Sequence, residues 1–314
     1  MSSEFVFIDS LRALASDPAA RGLMDDTAVL AMGGTNLVLT HDMIVEGVHY
    51  LATDPPEDVA WKLVAVNLSD LAAKGARPVG ALLGYALGEA DWDAAFVKGL
   101  GTALASFGLP LLGGDTVSMP PQAPRALGLT ALGVSDVAPS RTGARPGDLL
   151  WVSGTIGDAG AGLAALQAGR HEPAELIERY RNPRPCLEAG QRLAPLVNAM
   201  MDVSDGMLID AGRMAAASGC AVAVELDALP LSPALLAEAG DGQSTRLAAA
   251  TAGDDYELLF ATLAEKATEI LALAEEIGLP LSRVGRFGEG NGLTITDHGE
   301  SVPAPEKLGF EHSL

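Results

Sequence analysis

A chain of 314 residues, 48% of them hydrophobic, can bury a large core, and its length suits two domains of about 150 residues each. Aromatic residues are only 4%, so the core must be mostly Ala, Leu and Val. A net charge of −21 excludes a surface for nucleic acid or anionic membrane, two cysteines (Cys186 and Cys220) exclude a disulfide framework, and no apolar run reaches the roughly 20 residues of a membrane span.

The opening MSSEFVFIDSL has acids where a signal peptide has basic residues, so a soluble, cytoplasmic protein is expected. Residues 4–16 have helix-like apolar spacing. TNLVLTHDM (35–43) reads as a strand after the turn Gly33-Gly34. Residues 55–78 read as a helix opened by Pro55 and Pro56, with acids in its first turn, and closed by Gly75 and Pro78. A strand is expected at 79–88, an amphipathic helix at 91–110 and a strand at 125–134. APSRTGARPGDLLWVSG (138–154) looks like a boundary, with domains expected at 1–140 and 141–314. Beyond it the order is a strand LLWVSG, a Gly-rich stretch, a helix near 173–180, a Pro-rich turn at 183–185 and a helix near 186–198. A strand into MDVSDGM, a helix near 207–218, the strand AVAVEL, the acidic turn AGDDYELLF, a helix near 264–277 and a hairpin in LTITDHGESV complete it. The mixture predicts an α/β (α+β) fold with helices covering sheet faces.

Acids recur where these elements end. MDDTAVL carries Asp25 and Asp26, LTHDMIVEGVH carries Asp42, NLSDLAAKG carries Asp70, LLGGDTVS carries Asp115, MDVSDG carries Asp202 and Asp205, and AGDDYEL carries Asp254 and Asp255. Element ends are where enzymes arrange side chains around a cleft. Short carboxylates suit magnesium, which takes oxygen ligands and substrate phosphate, whereas the cysteines are too few for zinc. An acidic protein repels ATP unless a cation stands between carboxylate and phosphate. Each cluster also has an ordinary reading. Asp25, Asp26 and Asp115 are common turn residues, and Asp70 sits four residues before Lys74, as in a surface ion pair. Asp202 or Ser204 would serve as a helix cap, and His49 as a structural histidine. The repetition of six clusters favours a shared site.

There is no G-x-x-x-x-G-K-[ST], so phosphate is not held by a P-loop. GDAGAG (157–162) offers N–H groups at a helix start, or merely a tight packing turn.

Taken in order, MDDTAVL, LTHDMIVEGVHY, NLSDLAAKGARP, LLGGDT, RTGARPGD, MDVSDGM, GDDYELLF and GFEH resemble the thiamine-monophosphate kinase family, over about residues 4 to 312. That family belongs to the superfamily of aminoimidazole ribonucleotide synthetase, the PurM-like proteins. The resemblance implies two α/β domains, with the N-terminal sheets pairing across a homodimer. It implies transfer of phosphate from ATP to thiamine phosphate, giving thiamine diphosphate, with several magnesium ions. Position by position, it implies magnesium ligands at Asp26, Thr40, His41, Asp42, Asp70, Asp115, Asp202 and Asp205, with catalysis depending on Asp42 and Asp205. It implies ATP contacts from Gly114, Asp115, Arg141 and Ser204, and a thiamine phosphate pocket lined by His49, Asp254 and Phe310. His41 stands where the family commonly has Thr: a ligand supplied there by the backbone carbonyl is kept, and one supplied by the hydroxyl is lost. Asp254 stands where the family commonly has Glu, one methylene longer. Selenophosphate synthetases normally need a reactive cysteine or selenocysteine in a Gly-rich N-terminal segment, and hydrogenase maturation members normally end in a cysteine. Here no cysteine precedes Cys186 and the end reads His312-Ser313-Leu314, so neither activity is expected.

Overall fold

The computed structural model describes residues 3–120 and 122–312; Ser313 and Leu314 of the expected tail lie outside them. The first unit starts with α1 (Ser3–Arg12) and a 3₁₀ segment, Pro18–Leu23, whose N-cap Asp17 accepts from the Ala19 N–H at 2.8 Å. Next come β1 (Ala28–Met32), β2 (Thr35–Val45), α2 (Pro56–Ala73), β3 (Arg77–Leu87), α3 (Ala90–Ser106), β4 (Leu111–Ser118) and β5 (Ala126–Ser135). Gly33 and Gly34 join β1 to β2 with φ of 58° and 96°, the left-handed pair that a two-residue hairpin needs. The sheet order is β1-β2-β5-β3-β4.

Helices α2 and α3 cover one face of this sheet. The other face leaves Leu30, Met32, Met43, Leu82 and Val117 exposed. Helix α2 is buried almost all round from Val59 to Ala73, as a helix enclosed on every side must be. It packs against β2 and β5 on one side and against the second unit on the other.

That second unit contains β6 (Leu149–Ser153), α4 (Asp158–Gln167), α5 (Ala174–Arg181), α6 (Leu187–Leu193), β7 (Ala199–Asp202), α7 (Met207–Ser218) and β8 (Ala221–Glu225). It continues with α8 (Pro233–Ala239), α9 (Gln243–Thr251), β9 (Leu258–Thr262), α10 (Ala267–Ile277), β10 (Leu281–Gly288), β11 (Gly292–Asp297) and β12 (Glu300–Val302). The sheet order is β12-β11-β8-β10-β6-β9-β7, with β8 and β11 parallel. Both faces of the central strands are covered, so β6 and β9 are continuous buried runs rather than alternating ones.

The α/β expectation holds, with local differences. Pro78 does not close α2 but lies inside β3, beside an irregularity in the pairing with β5. LLGGDTVS, where the ordinary reading of Asp115 was a turn residue, is the exposed edge strand β4. The helices expected to reach 110 and 198 stop at Ser106 and Leu193. Strand β10 and helices α8 and α9 carried no sequence signal strong enough to be expected.

The two units meet where α6 lies against the end of α2. A Cβ added to Gly190 would sit 2.0 Å from the Ala72 carbonyl oxygen, and one on Gly75 would sit 2.4 Å from the Ala194 Cβ. Gly190→Ala is therefore expected to wedge the units apart and cost about 1–3 kcal/mol, read as a lower urea midpoint. An unchanged midpoint would mean that the helices slide freely.

Candidate active site

The site forms where α2 passes between the units. Asn67, Asp70 and Lys74 lie on one face of that helix, three and four residues apart. The strand period of two puts Val38, Thr40, Asp42 and Ile44 of β2 on the side facing α2. The Asp42 N–H donates to Asn67 Oδ1 at 3.0 Å, and the Thr40 hydroxyl donates a short hydrogen bond to Asp70. From the second unit, Asp202 at the end of β7 accepts from the Ser69 hydroxyl at 2.6 Å. The result is a trio: ligand oxygens of Asp26, Asp70 and Asp202 all lie within 4.8 Å of one another.

Cations hold one edge of the trio. Lys74, wholly buried, reaches Asp25 at 2.6 Å, Asp26 at 2.7 Å and the Met200 carbonyl at 3.1 Å. It is thus no surface partner of Asp70. Arg141 pairs with Asp26, while Asp25 is held by Arg21 at 2.6 Å and by the Ser140 hydroxyl at 3.0 Å. Asp25 is fully engaged and acts as scaffold. Burial would raise the Asp26 carboxyl, but Arg141 and Lys74 outweigh it and hold it well below the usual range. Among the described residues, Asp42, Asp70 and Asp202 have no such partners. Burial, then Asp26 and Asp205, push Asp42 up to about 6. Burial and neighbouring carboxylates raise Asp70 and Asp202 well above the ordinary value. Oxygen-only donors that repel one another at this separation are a fit for a hard divalent cation, which would remove the repulsion.

Other expected residues lie elsewhere. The His41 imidazole is on the opposite face of β2, with Nδ1 2.9 Å from the Thr130 hydroxyl, so only its backbone could join the cluster. Asp115 lies opposite Gly84, which lies opposite Gly128, which lies opposite Met43. It therefore shares the open face with Met43, three strands or about 14 Å from β2, and does not meet the trio within one chain. Gly114 has a structural reason of its own: an added Cβ would lie 2.0 Å from the Leu83 carbonyl oxygen.

A second group of side chains borders the first. Lys62 of α2 is buried, with Nζ 2.7 Å from Asp254 Oδ2 and 2.9 Å from the His49 carbonyl, over the Tyr180 ring at 4.1 Å. Asp254 adopts φ 70°, and its second oxygen accepts from the Tyr256 hydroxyl at 3.1 Å. Its neighbour Asp255 turns away and caps the Gly157 N–H at 2.8 Å. His49 Nδ1 accepts from the Val45 N–H at 3.0 Å, which leaves Nε2 to carry the proton of the neutral ring. Burial first, then His312, hold His49 below its ordinary pKa. Its ring centroid is 5.3 Å from that of His312, which meets Phe310 edge-on at 4.9 Å.

One loop joins the two groups. The Ser204 carbonyl accepts from the Asp254 N–H and the Asp205 carbonyl from the Phe310 N–H, both at 2.8 Å. Sequence reading gave no role to Asn67, Ser69 and Lys62, which orient the expected residues and show only as polar letters inside an apolar helix. His312 was visible in GFEH, but not its contact with the His49 and Phe310 rings.

Two family models match this chain. AIR synthase related protein, N-terminal domain, covers residues 24–135, and AIR synthase related protein, C-terminal domain, covers residues 145–298. The thiamine-monophosphate kinase of Caulobacter vibrioides is 41% identical over 307 residues, spanning 94% of this chain and 86% of that one. A crystal structure of thiamine-monophosphate kinase from Stenotrophomonas maltophilia is 39% identical, with a TM-score of 0.78 over 96% of this chain and 99% of that one. A structure of AaThiL complexed with AMPPCP and TMP is 31% identical, with a TM-score of 0.85 over 98% of this chain and 96% of that one.

Proposed function

The chain belongs to the thiamine-monophosphate kinase family of AIR synthase related proteins, and from that premise we propose how its residues divide the work. The reaction is ATP-dependent phosphorylation of thiamine phosphate to thiamine diphosphate. The observation that carries the division is the Asp26–Asp70–Asp202 trio, joined through the Ser204–Asp205 loop to the Lys62–Asp254–His49 group. The trio side takes the nucleotide polyphosphate, and the Asp254 side takes the acceptor.

Magnesium held by Asp26, Asp70 and Asp202, with Thr40, Asp42, Asp205 and the His41 backbone beside them, would neutralise and orient the polyphosphate. Arg141 supplies a guanidinium to phosphate oxygens from the same edge. His49, Asp254 and Phe310 border the acceptor, and Phe310, part exposed, offers a ring face to a flat heterocycle. The acceptor phosphate is already ionised near neutral pH, so its oxygen attacks in line without a general base. Positioning and charge neutralisation therefore carry the rate.

We take the domain boundary at 140/141, which is compatible with the segment between β5 and β6. A homodimer would cover the apolar open face of the first sheet, and Gly114 and Asp115 would reach nucleotide only at that interface. A cytoplasmic location is part of the same proposal, since ATP is the phosphate donor. Among the described residues no helix is long and apolar enough to cross a membrane.

Raised carboxyl groups give a signed pH prediction. A carboxyl with a raised folded-state pKa binds its proton more tightly folded than unfolded, so its contribution favours the fold at low pH. That contribution is lost as pH rises from about 4 through the folded value. Asp42, Asp70 and Asp202 therefore weaken the metal-free protein between pH 5 and pH 8. Magnesium is expected to raise the melting temperature more at pH 8 than at pH 5, and equal gains at both would mean that these acids do not hold it.

The function itself is tested by incubating the protein with ATP, magnesium and thiamine phosphate, with free thiamine in parallel, and separating products by chromatography. Thiamine diphosphate from thiamine phosphate alone is the expected result. No product from either acceptor would remove the kinase reading.

A further inference from the structure

Arg213 was not expected to matter from sequence, yet it touches the loop shared by both halves of the site. It lies on α7, three residues after Asp210 and eight after Asp205. Its Nη1 donates to Asp210 Oδ1 at 3.0 Å and makes a short ion pair with Asp205. The two acids differ in kind. Asp210 is fully buried, and its other oxygen accepts from the Asp205 N–H at 3.1 Å, so it anchors both the loop and the arginine. Asp205 is part exposed and borders Asp42. Arg213 is itself about one-third exposed, with a side-chain accessibility of 32%, so its guanidinium stands at the cleft surface.

A second guanidinium stands close by. Arg141 lies near enough to Arg213 to oppose its charge, although the net effect of burial, Asp210 and Asp205 still favours the charged form. Arg141 Nε is buried with no hydrogen-bond partner among the described residues. Buried donors of this kind are rare without an acceptor to meet. Two arginines that converge from distant points of the chain, one with an unused donor, suit an anion with several oxygens.

We propose that Arg213 is a further catalytic residue: the counter-ion of Asp205 at rest, and a donor to the transferring phosphoryl group during turnover. The proposal rests on the kinase reading above. A carboxylate that accepts a divalent cation holds a neighbouring guanidinium less tightly. Arg213 stays tethered by Asp210, so only its outer bond is exchanged, and phosphoryl oxygens are the anions at hand. In the transfer, an oxygen of the acceptor phosphate forms a bond to the γ-phosphorus, and the bond from that phosphorus to the β–γ bridging oxygen breaks. The bridging oxygen keeps the electron pair and leaves on ADP. No proton moves, and Arg213 remains a cation that donates N–H bonds to the oxygens between entering and leaving groups.

The test uses Arg213→Met and Arg213→Lys with two readouts. The first is magnesium binding without nucleotide, by calorimetry. Arg213→Met is expected to bind magnesium about tenfold more tightly than wild type, because a competing charge has left Asp205. The second is steady-state kinetics. Arg213→Met is expected to lose roughly 100- to 1000-fold in kcat, with KM for thiamine phosphate within about threefold. Arg213→Lys keeps a charge beside buried Asp210, so it is expected to melt near wild type, yet to lose at least about tenfold in kcat because the planar fork is gone. If wild type turns over thiamine phosphate while Arg213→Met keeps kcat within about threefold, the proposal is overturned and the kinase reading stands. If Arg213→Met does not fold, full kcat in a folded Arg213→Lys overturns it equally. Absence of turnover in wild type would instead count against the kinase reading.

Discussion

Asp42→Asn is expected to lower kcat by roughly 100- to 1000-fold while leaving the metal-free protein at least as stable as wild type. The two halves of this expectation have one cause. Asp42 is largely buried, has no cationic partner among the described residues, and faces Asp26 and Asp205 across the cleft, which is why its carboxyl rises to about 6. At neutral pH its charge opposes folding, and under the proposed mechanism it would serve a bound cation. Asparagine keeps the shape and leaves the backbone bond to Asn67 intact, but removes that charge. The melting temperature without magnesium should hold or rise, and the increment given by magnesium should shrink. Asp205→Asn should also lower turnover by orders of magnitude, but without the gain in stability, since Asp205 has Arg213 as a counter-ion. Wild-type turnover in either variant would sink the mechanism. A large loss of stability in Asp42→Asn would show that Asp42 acts as scaffold instead.

Much of this site was legible as letters, because carboxylates at element ends are visible without coordinates. What the letters lacked was direction. Thr40-His41-Asp42 reads as three adjacent candidates, yet the alternation of a strand sends His41 to the opposite face. Asp70 and Lys74 read as an i,i+4 surface pair because helix periodicity alone cannot show that α2 is enclosed between two units. Asp115 after the Gly-Gly of LLGGDT has a turn as its ordinary reading, whereas it and both glycines lie within β4, and Gly114 permits close approach to Leu83. Each misreading has the same origin: local pattern gives an element and its faces, and only the packing of the two units says which face meets what. The same limit hid Lys62, whose buried charge is explained only by Asp254, far along the chain. It also bears on Asp254 as a shorter stand-in for Glu. Its carboxylate is already shared between Lys62 and Tyr256, so in the proposed pocket it would meet the acceptor as one end of an ion pair rather than as a free charge.

Lys74→Met is expected to destabilise the protein by about 3–5 kcal/mol, the cost of breaking a buried ion pair from one side. Methionine keeps the apolar stem and fills the same space, so the loss reports the ammonium. That ammonium joins the end of α2 to Asp25 and Asp26 at the entry to β1, and to the Met200 carbonyl of the second unit. Arg21 still serves Asp25 and Arg141 still serves Asp26, which places the loss toward the lower end of that range. Burial works against the charge on Lys74, but Asp26 and Asp25 outweigh it and raise its pKa above the ordinary value. Its stabilisation is therefore fully present throughout pH 5–9 and is lost only as pH rises through the folded value. The gap between Lys74→Met and wild type should stay constant over that range, unlike the pH-dependent effect of the unpaired acids. Magnesium should narrow the gap, because the freed charge on Asp26 strengthens the trio as a cation site. Urea unfolding at pH 6 and pH 8, with and without magnesium, separates these effects. A gap below about 1 kcal/mol would mean that Arg21 and Arg141 alone neutralise the pair, and that Lys74 is held by the site rather than holding it.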